Sequence, residues 1–255
     1  MTRVRIPFLA ALAVGTLVGT AACQDASAPV PAVVPGNPVS LRVLFIGNSL
    51  TYYNNLPGTL KGVALTAGDT IHVEMIAKPN YALIDHITNN SGAVEAIKRG
   101  GWDFVVLQQG PTTLPINRDS LVLWTRMFDS IIHPTGARTA LFMVWPQGAS
   151  AQGFESVRIA YQDAASAVDG LFLPAGVAWQ LALQRDGLVG LYGPDNFHPT
   201  PLGSYLAAIT IYGKLTGHDP RELSAYAFMD GAALNVPAAT VWMLKTAAHD
   251  ADAKY

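Results

Sequence analysis

A single cysteine, Cys23, stands in this chain of 255 residues, so no internal disulfide can form. Charge is also scarce. Asp, Glu, Lys and Arg make up 13%, and 16 basic against 18 acidic residues leave a net charge of -2. No run of Lys or Arg forms a stripe that could neutralise phosphates, which excludes nucleic acid as an expected partner. No cluster of His, Asp and Glu recurs at ligand spacing, so no metal and no other cofactor is expected. Internal repeats and a second composition regime are lacking too. Half of the residues are hydrophobic, enough for a substantial core, and the length suits one domain better than two.

The N-terminus is a separate object. Met1 to Arg5 is a short basic start, residues 6–19 are apolar and small, and Thr20-Ala21-Ala22-Cys23 ends the run. This pattern predicts a secretory signal over residues 1–23, too short and too weakly flanked to span a membrane as a helix. A cysteine directly after Ala21-Ala22 stands where a bacterial lipobox places its acylated residue, which makes Cys23 the expected lipidation site. Thr20 is less usual than Leu three before that cysteine, so plain cleavage after Ala22 is the alternative. Residues 24–40 are Ala, Pro, Val and Ser with Pro29, Pro31, Pro35 and Pro38 closely spaced, an extended linker. The expectation is an exported protein, anchored to the membrane or free in the periplasm or outside, that touches a membrane only through Cys23. Its folded domain covers residues 41–255.

Five short apolar runs, at residues 41–46, 71–77, 103–108, 138–145 and 170–174, lack the alternation of a half-exposed sheet. They suit parallel strands covered on both faces. Helical patterns fall near 57–67, 92–99, 119–133 and 154–168, with two more near 201–216 and 237–248. Strands alternating with helices predict right-handed crossovers and an α/β fold: a three-layer α/β/α, flavodoxin-like sandwich around a five-stranded parallel sheet. Ligands of such sheets sit at the carboxyl ends of the strands. Polar clusters fall there, at Gly47-Asn48-Ser49, Pro79-Asn80-Tyr81, Gln108-Gln109-Gly110 and Trp145-Pro146-Gln147.

Ser49 ends an apolar run and opens a helix, on a turn that Gly47 lets bend sharply and that Asn48 tolerates. A serine hydroxyl becomes a good nucleophile when a histidine takes its proton and a carboxylate orients that histidine. Of six histidines, His72 lies in a strand pattern, His133, His218 and His249 lie at helix ends, and His86 has only Asp85 beside it. His198 follows Asp195 by three residues on a turn bounded by Pro194 and Pro199, a spacing that puts both side chains on one side. The plainer alternatives are Ser49 and Asp195 as helix caps with a surface histidine nearby. Tyr52, Tyr53 and Tyr81 lie near the rim as packing residues or sugar platforms, and Trp145 and Trp179 wall the pocket or fill the core. Residues 202–217 read as a buried helix bracing the Asp195-His198 turn. The residues after Pro220 fit no motif and are expected to cover the sheet edge.

FIGNSLT at 45–51 resembles the first block of the SGNH (GDSL-like) hydrolases, with Asn in place of the Asp before the nucleophile. DNFHP at 195–199 resembles their fifth block, Asp-x-x-His. VLFIGNSLTYYNNLP, WDFVVLQQ, LFLPAGVAW and HPTPLGSYLAA look like a bacterial SGNH branch described only as domains of unknown function, and the likeness runs from residue 41 to about 217. The resemblance implies Ser49 as nucleophile, His198 as base and Asp195 as its orienting carboxylate. It also implies an oxyanion hole from the Ser49 N–H, a backbone N–H at the second-block position, here Asn80, and a third-block asparagine side chain. Gly110-Pro111-Thr112-Thr113 lacks that asparagine, which leaves the amide of Gln108 or Gln109; at an extended strand end these point to opposite faces, so only one reaches. Some carbohydrate-ester relatives carry a Gln-Gly pair there, similar to Gln109-Gly110. The implied activity is an exported serine esterase hydrolysing O-acyl groups, O-acetyl foremost, of a small-molecule or glycan ester. A non-catalytic carbohydrate-binding scaffold and an O-acyltransferase are the alternatives.

Overall fold

The computed structural model describes Met1 and residues 37–112, 114–229 and 232–255. The expected signal, Cys23 and the linker up to residue 36 lie outside the described residues. In chain order the elements are β1 (Ser40–Gly47), α1 (Ser49–Tyr52), α2 (Leu56–Thr66), β2 (Thr70–Ala77), α3 (Leu83–Thr88), α4 (Ala93–Arg99), β3 (Phe104–Leu107), α5 (Pro115–Ile132), β4 (Arg138–Phe142), α6 (Ala151–Ser166), β5 (Leu171–Leu173), α7 (Ala175–Arg185), α8 (Pro201–Thr216), β6 (Phe228–Met229), β7 (Ala232–Ala233) and α9 (Ala238–Lys254). The five apolar runs are the five strands of one parallel sheet, in the order β2-β1-β3-β4-β5. Val43 to Ile46 of β1 and Val105 to Leu107 of β3 are wholly buried. Such runs mark strands with helices on both faces; β2 departs from the expectation, because it is the edge strand and only Ile71 of it is buried, but the chain has the α/β architecture.

Helices α3, α4, α5 and α6 pack in succession on one another, and α2, α7, α8 and α9 form a second group. Helix α8 is buried without a break from Gly203 to Gly213, so it has no polar stripe and sits at the centre of its layer. Its far end is tied to the sheet by Asp69, which accepts hydrogen bonds from Tyr212 Oη at 2.7 Å, from His218 Nδ1 at 3.0 Å and from the N–H of Val39 at 2.8 Å.

Helix α7 was not expected from the sequence. Its first five residues, Ala175 to Trp179, are all buried, which erases the amphipathic signal, and Gly and Val are weak helix formers. Gly176 is needed there, because a Cβ would lie 2.2 Å from the Val144 carbonyl oxygen. This close approach lets the Trp179 indole stack on Trp145 with ring centroids 3.6 Å apart and planes 7° from parallel. Trp179 Nε1 donates to the Gly203 carbonyl at 3.2 Å. The tryptophan pair thus couples the end of β4 to α7 and α8. Truncating either ring would leave a cavity costing about 3–5 kcal/mol.

The residues after Pro220 do not line a sheet edge along their length. Helix α9 lies against α7 and α8, and Tyr255 meets β5 edge-on at Phe172, with ring centroids 5.4 Å apart.

Asp252 of α9 faces α8 beside Gly213, and both carboxyl oxygens are buried with no hydrogen-bond partner among the described residues. Burial pushes its pKa up to about 8. An unfolded Asp ionises near pH 3.9, so between about pH 4 and 8 the unfolded state binds fewer protons, and stability falls as pH rises by up to about 1.4 kcal/mol per unit. Asp252→Asn is expected to flatten this slope and to raise Tm at pH 8 relative to the parent protein. Thermal unfolding of both proteins from pH 5 to 8 checks it; parallel Tm profiles would contradict it.

Candidate active site

Where β1 stops, every polar group of the turn is buried and needs a partner. Gly47 has no room for a side chain, since a Cβ would lie 2.4 Å from Thr51 Oγ1 and 2.5 Å from Gln108 Oε1. Asn48 caps α1 by accepting from the Leu50 N–H at 3.1 Å, and its Nδ2 donates to the Tyr81 carbonyl at 3.0 Å. Gln108 Oε1 accepts from the Asn48 N–H at 2.9 Å and from Thr51 Oγ1 at 2.7 Å, while Gln108 Nε2 donates to Asn48 Oδ1 at 2.9 Å. Beneath them His86 Nε2 donates to the Gly47 carbonyl at 2.9 Å. A carbonyl can only accept, so Nε2 carries a proton; burial lowers the pKa of this imidazole and so favours its neutral form. The turn that holds Ser49 at the start of α1 is thereby fixed from three sides.

The second half of the site is the turn before α8. Asp195 Oδ1 accepts from the N–H groups of Phe197 at 3.1 Å and His198 at 2.9 Å, and Asn196 adopts a left-handed conformation with φ of 53°. The Gly193 N–H donates to the His198 carbonyl at 2.7 Å and closes the loop. Trp145 Nε1 donates to the Phe197 carbonyl at 2.9 Å, and the Gly148 N–H to the Asn196 carbonyl at 2.9 Å. Asn54, left-handed with φ of 50°, donates from Nδ2 to the Pro199 carbonyl and to Ser204 Oγ, each at 2.9 Å. The sequence carries a hint of this strut, because Asn is the residue that most readily takes that conformation after glycine.

These supports bring together residues 149 apart. His198 Nδ1 donates to Asp195 Oδ2 at 2.6 Å, which leaves Nε2 as an acceptor, 2.9 Å from Ser49 Oγ. The hydrogen bond from His198, with those from the two backbone N–H groups, pulls the Asp195 pKa down to about 2. Tyr53 lies on the His198 ring, with centroids 4.2 Å apart and planes at 19°. The Tyr53 ring and the Nδ1 hydrogen bond to Asp195 leave the imidazole little freedom to turn. Such an arrangement can take a proton from the Ser49 hydroxyl and return it.

A cavity of about 330 Å³ opens over Ser49. Asn80, left-handed with φ of 59°, stands at its wall, and no acceptor takes the Asn80 N–H among the described residues. Gln109 also lines it, with Oε1 accepting from the Leu83 N–H at 3.3 Å and Nε2 3.4 Å from the Asn117 carbonyl. The two expected glutamines thus separate as an extended strand end requires. Gln108 is not part of the cavity wall; both ends of its amide are engaged in the turn. His86, Asn54 and the stacking role of Tyr53 are the site features that reading the sequence missed.

No family model and no curated protein matches the chain. Solved structures do. A candidate SGNH hydrolase from Slackia heliotrinireducens superposes with a TM-score of 0.58 at 23% identity, over 69% of this chain and 99% of that one. A DUF4886 family protein from Bacteroides uniformis gives 0.70 at 18% identity, over 83% and 94%. A lipase/acylhydrolase from Enterococcus faecalis gives 0.53 at 16% identity, over 72% and 97%. This is the SGNH hydrolase fold. On this scaffold the turn that carries Ser49 closes β1 and the turn that carries Asp195 and His198 opens α8.

Gln108→Ala would strand the Asn48 N–H and the Thr51 hydroxyl in a dry site, at about 1–3 kcal/mol for each unsatisfied group. Urea unfolding is expected to show a loss of about 2–5 kcal/mol for this variant and a smaller one, about 1–2 kcal/mol, for Gln109→Ala, whose two hydrogen bonds are long and whose partners can turn to water in the cavity. Equal losses would remove Gln108 from its bracing role.

Proposed function

We propose that the chain is an exported serine esterase that hydrolyses small O-acyl esters, O-acetyl foremost, carried by carbohydrate. The observation that carries this reading is the continuous line of hydrogen bonds from Ser49 Oγ through the His198 imidazole to Asp195, at 2.9 and 2.6 Å. In the first step His198 Nε2 takes the Ser49 proton as Oγ attacks the ester carbonyl carbon. The developing oxyanion accepts from the N–H of Ser49, which opens α1 and has no intrahelical acceptor, from the N–H of Asn80 and from Gln109 Nε2. His198 then gives the proton to the leaving alcohol, and the acyl group stays on Ser49. Water, deprotonated by the same nitrogen, attacks the acyl-enzyme and releases the acid.

Polar groups support a short acyl chain. Asn48, Asn80, Gln109 and Thr112 line the cavity over Ser49, and a long alkyl chain laid there would desolvate these amides without replacing their hydrogen bonds. Export rests on the N-terminal signal, and retention at a membrane on acylation of Cys23, with residues 24–40 as the tether. Metabolic labelling with a radiolabelled fatty acid is expected to mark the parent protein and not Cys23→Ser; equal labelling of both would rule the anchor out.

Hydrolysis of p-nitrophenyl acetate tests the reaction. Ser49→Ala and His198→Ala are each expected to lose about a thousandfold or more in kcat/KM. Gln109→Ala is expected to lose about a hundredfold in kcat, the usual effect of removing one oxyanion donor. Asp195 is ionised above about pH 2, so Asp195→Asn removes a negative charge at every working pH and is expected to lower kcat across the whole profile. Equal rates for the parent protein and Ser49→Ala would end the esterase reading.

A further inference from the structure

We propose that a second cavity, beside the one over Ser49, is a subsite for a neutral sugar unit of the glycan chain. This proposal rests on the esterase reading only in placing the acylated sugar at Ser49. The second cavity has a volume of about 590 Å³, and Thr112, Asn117 and Phe197 belong to the walls of both. The two spaces therefore adjoin, and a chain of linked units can occupy them together.

The chemistry of the walls selects the ligand. Among the described residues, no charged side chain lines either cavity. In place of charge stand six primary amides: Asn48, Asn80, Gln109 and Asn117 in the first cavity, and Asn117, Gln147 and Gln152 across the second. Asn48 and Gln109 are engaged by the turn and by α3, whereas the side chains of Asn80, Asn117, Gln147 and Gln152 have no hydrogen-bond partner among the described residues. Each amide offers two N–H donors and one carbonyl acceptor, and a sugar hydroxyl both donates and accepts, so neighbouring hydroxyls of one ring can satisfy an amide completely. Phe197 adds an apolar face between the cavities, as recognition sites combine aromatic surface with a few placed polar groups. A carboxylate or phosphate on the glycan would find no cation among the described lining residues, since the nearby Arg118 is paired with Asp163, and would lose part of its hydration. The site is made for uncharged, hydroxyl-rich chains.

Its position relative to Ser49 is fixed. The loop that carries Gln147 is bound to the Asp195-His198 turn through the Gly148 N–H and the Asn196 carbonyl, and Tyr192 Oη donates to the Pro146 carbonyl at 2.9 Å. Gln152 lies at the start of α6, whose N-cap Ser150 accepts from the Gly153 N–H. A sugar held by these side chains is thus placed by the same loop that positions the histidine, which is how a preorganised subsite gains affinity.

Binding to the Ser49→Ala protein tests the subsite without turnover, so its outcome is separate from that of the esterase assay. Isothermal titration calorimetry would use O-acetylated xylo-, manno- and cello-oligosaccharides and, as the acidic counterpart, O-acetylated oligogalacturonate. At least one neutral chain is expected to bind, with a Kd about tenfold or more below that of the acidic chain. Adding Gln147→Ala and Gln152→Ala is expected to raise that Kd about fivefold or more, with thermal unfolding confirming an intact fold. Failure of every neutral chain to bind, equal or tighter binding of the acidic chain, or an unchanged Kd in the amide variants would each overturn the subsite.

Discussion

A buried backbone turn must satisfy its own hydrogen bonds, and the end of β1 meets this requirement by drawing in side chains from two neighbouring elements. Gln108, from the end of β3, holds the Asn48 N–H and the Thr51 hydroxyl with one oxygen. His86, from α3, holds the Gly47 carbonyl from below. Because each of these groups would be expensive to leave unpaired in a dry site, the turn has one arrangement, and Ser49 is presented in that arrangement. The positions of the cavity, Asn80 and Gln109 all follow from where this turn lies in the sheet.

The histidine half depends on different forces. The Asp195-His198 turn is largely exposed on its outer side, with Asp195 half open to solvent, so burial does not hold it. It is held by its own closed loop of hydrogen bonds and by attachments that end on the tryptophan stack, at Trp145 directly and at Trp179 through α8. Aromatic packing in the core is thereby converted into the placement of an imidazole at the surface. Tyr53, from the segment after Ser49, covers the ring and joins the two halves.

Much of this was legible in the sequence, for reasons that differ from residue to residue. The inner strands announced themselves because double-sided burial makes an unbroken apolar run, which the exposed edge strand β2 does not share, and Ser49, Asp195 and His198 stood out through motif and spacing. Helix α7 did not, because complete burial of its first turns removes the periodicity on which helix reading depends. The task of Gln108 was hidden as well: its chemistry as a free amide is the same as that of Gln109, and only the direction of each side chain from the strand end separates a brace from a cavity wall. His86 lacked any local partner in the sequence, since its partners, the Gly47 carbonyl and Ser91, are supplied by tertiary packing and by a neighbouring loop.

The central claim is that His198 makes the Ser49 hydroxyl reactive. The most direct measurement is labelling with a fluorophosphonate, followed by peptide mass spectrometry. The account predicts one phosphonylated site, on the peptide containing Ser49, formed rapidly by the parent protein and lost in His198→Ala. A parent protein left unlabelled at Ser49, or one labelled there equally well without the imidazole, would contradict it.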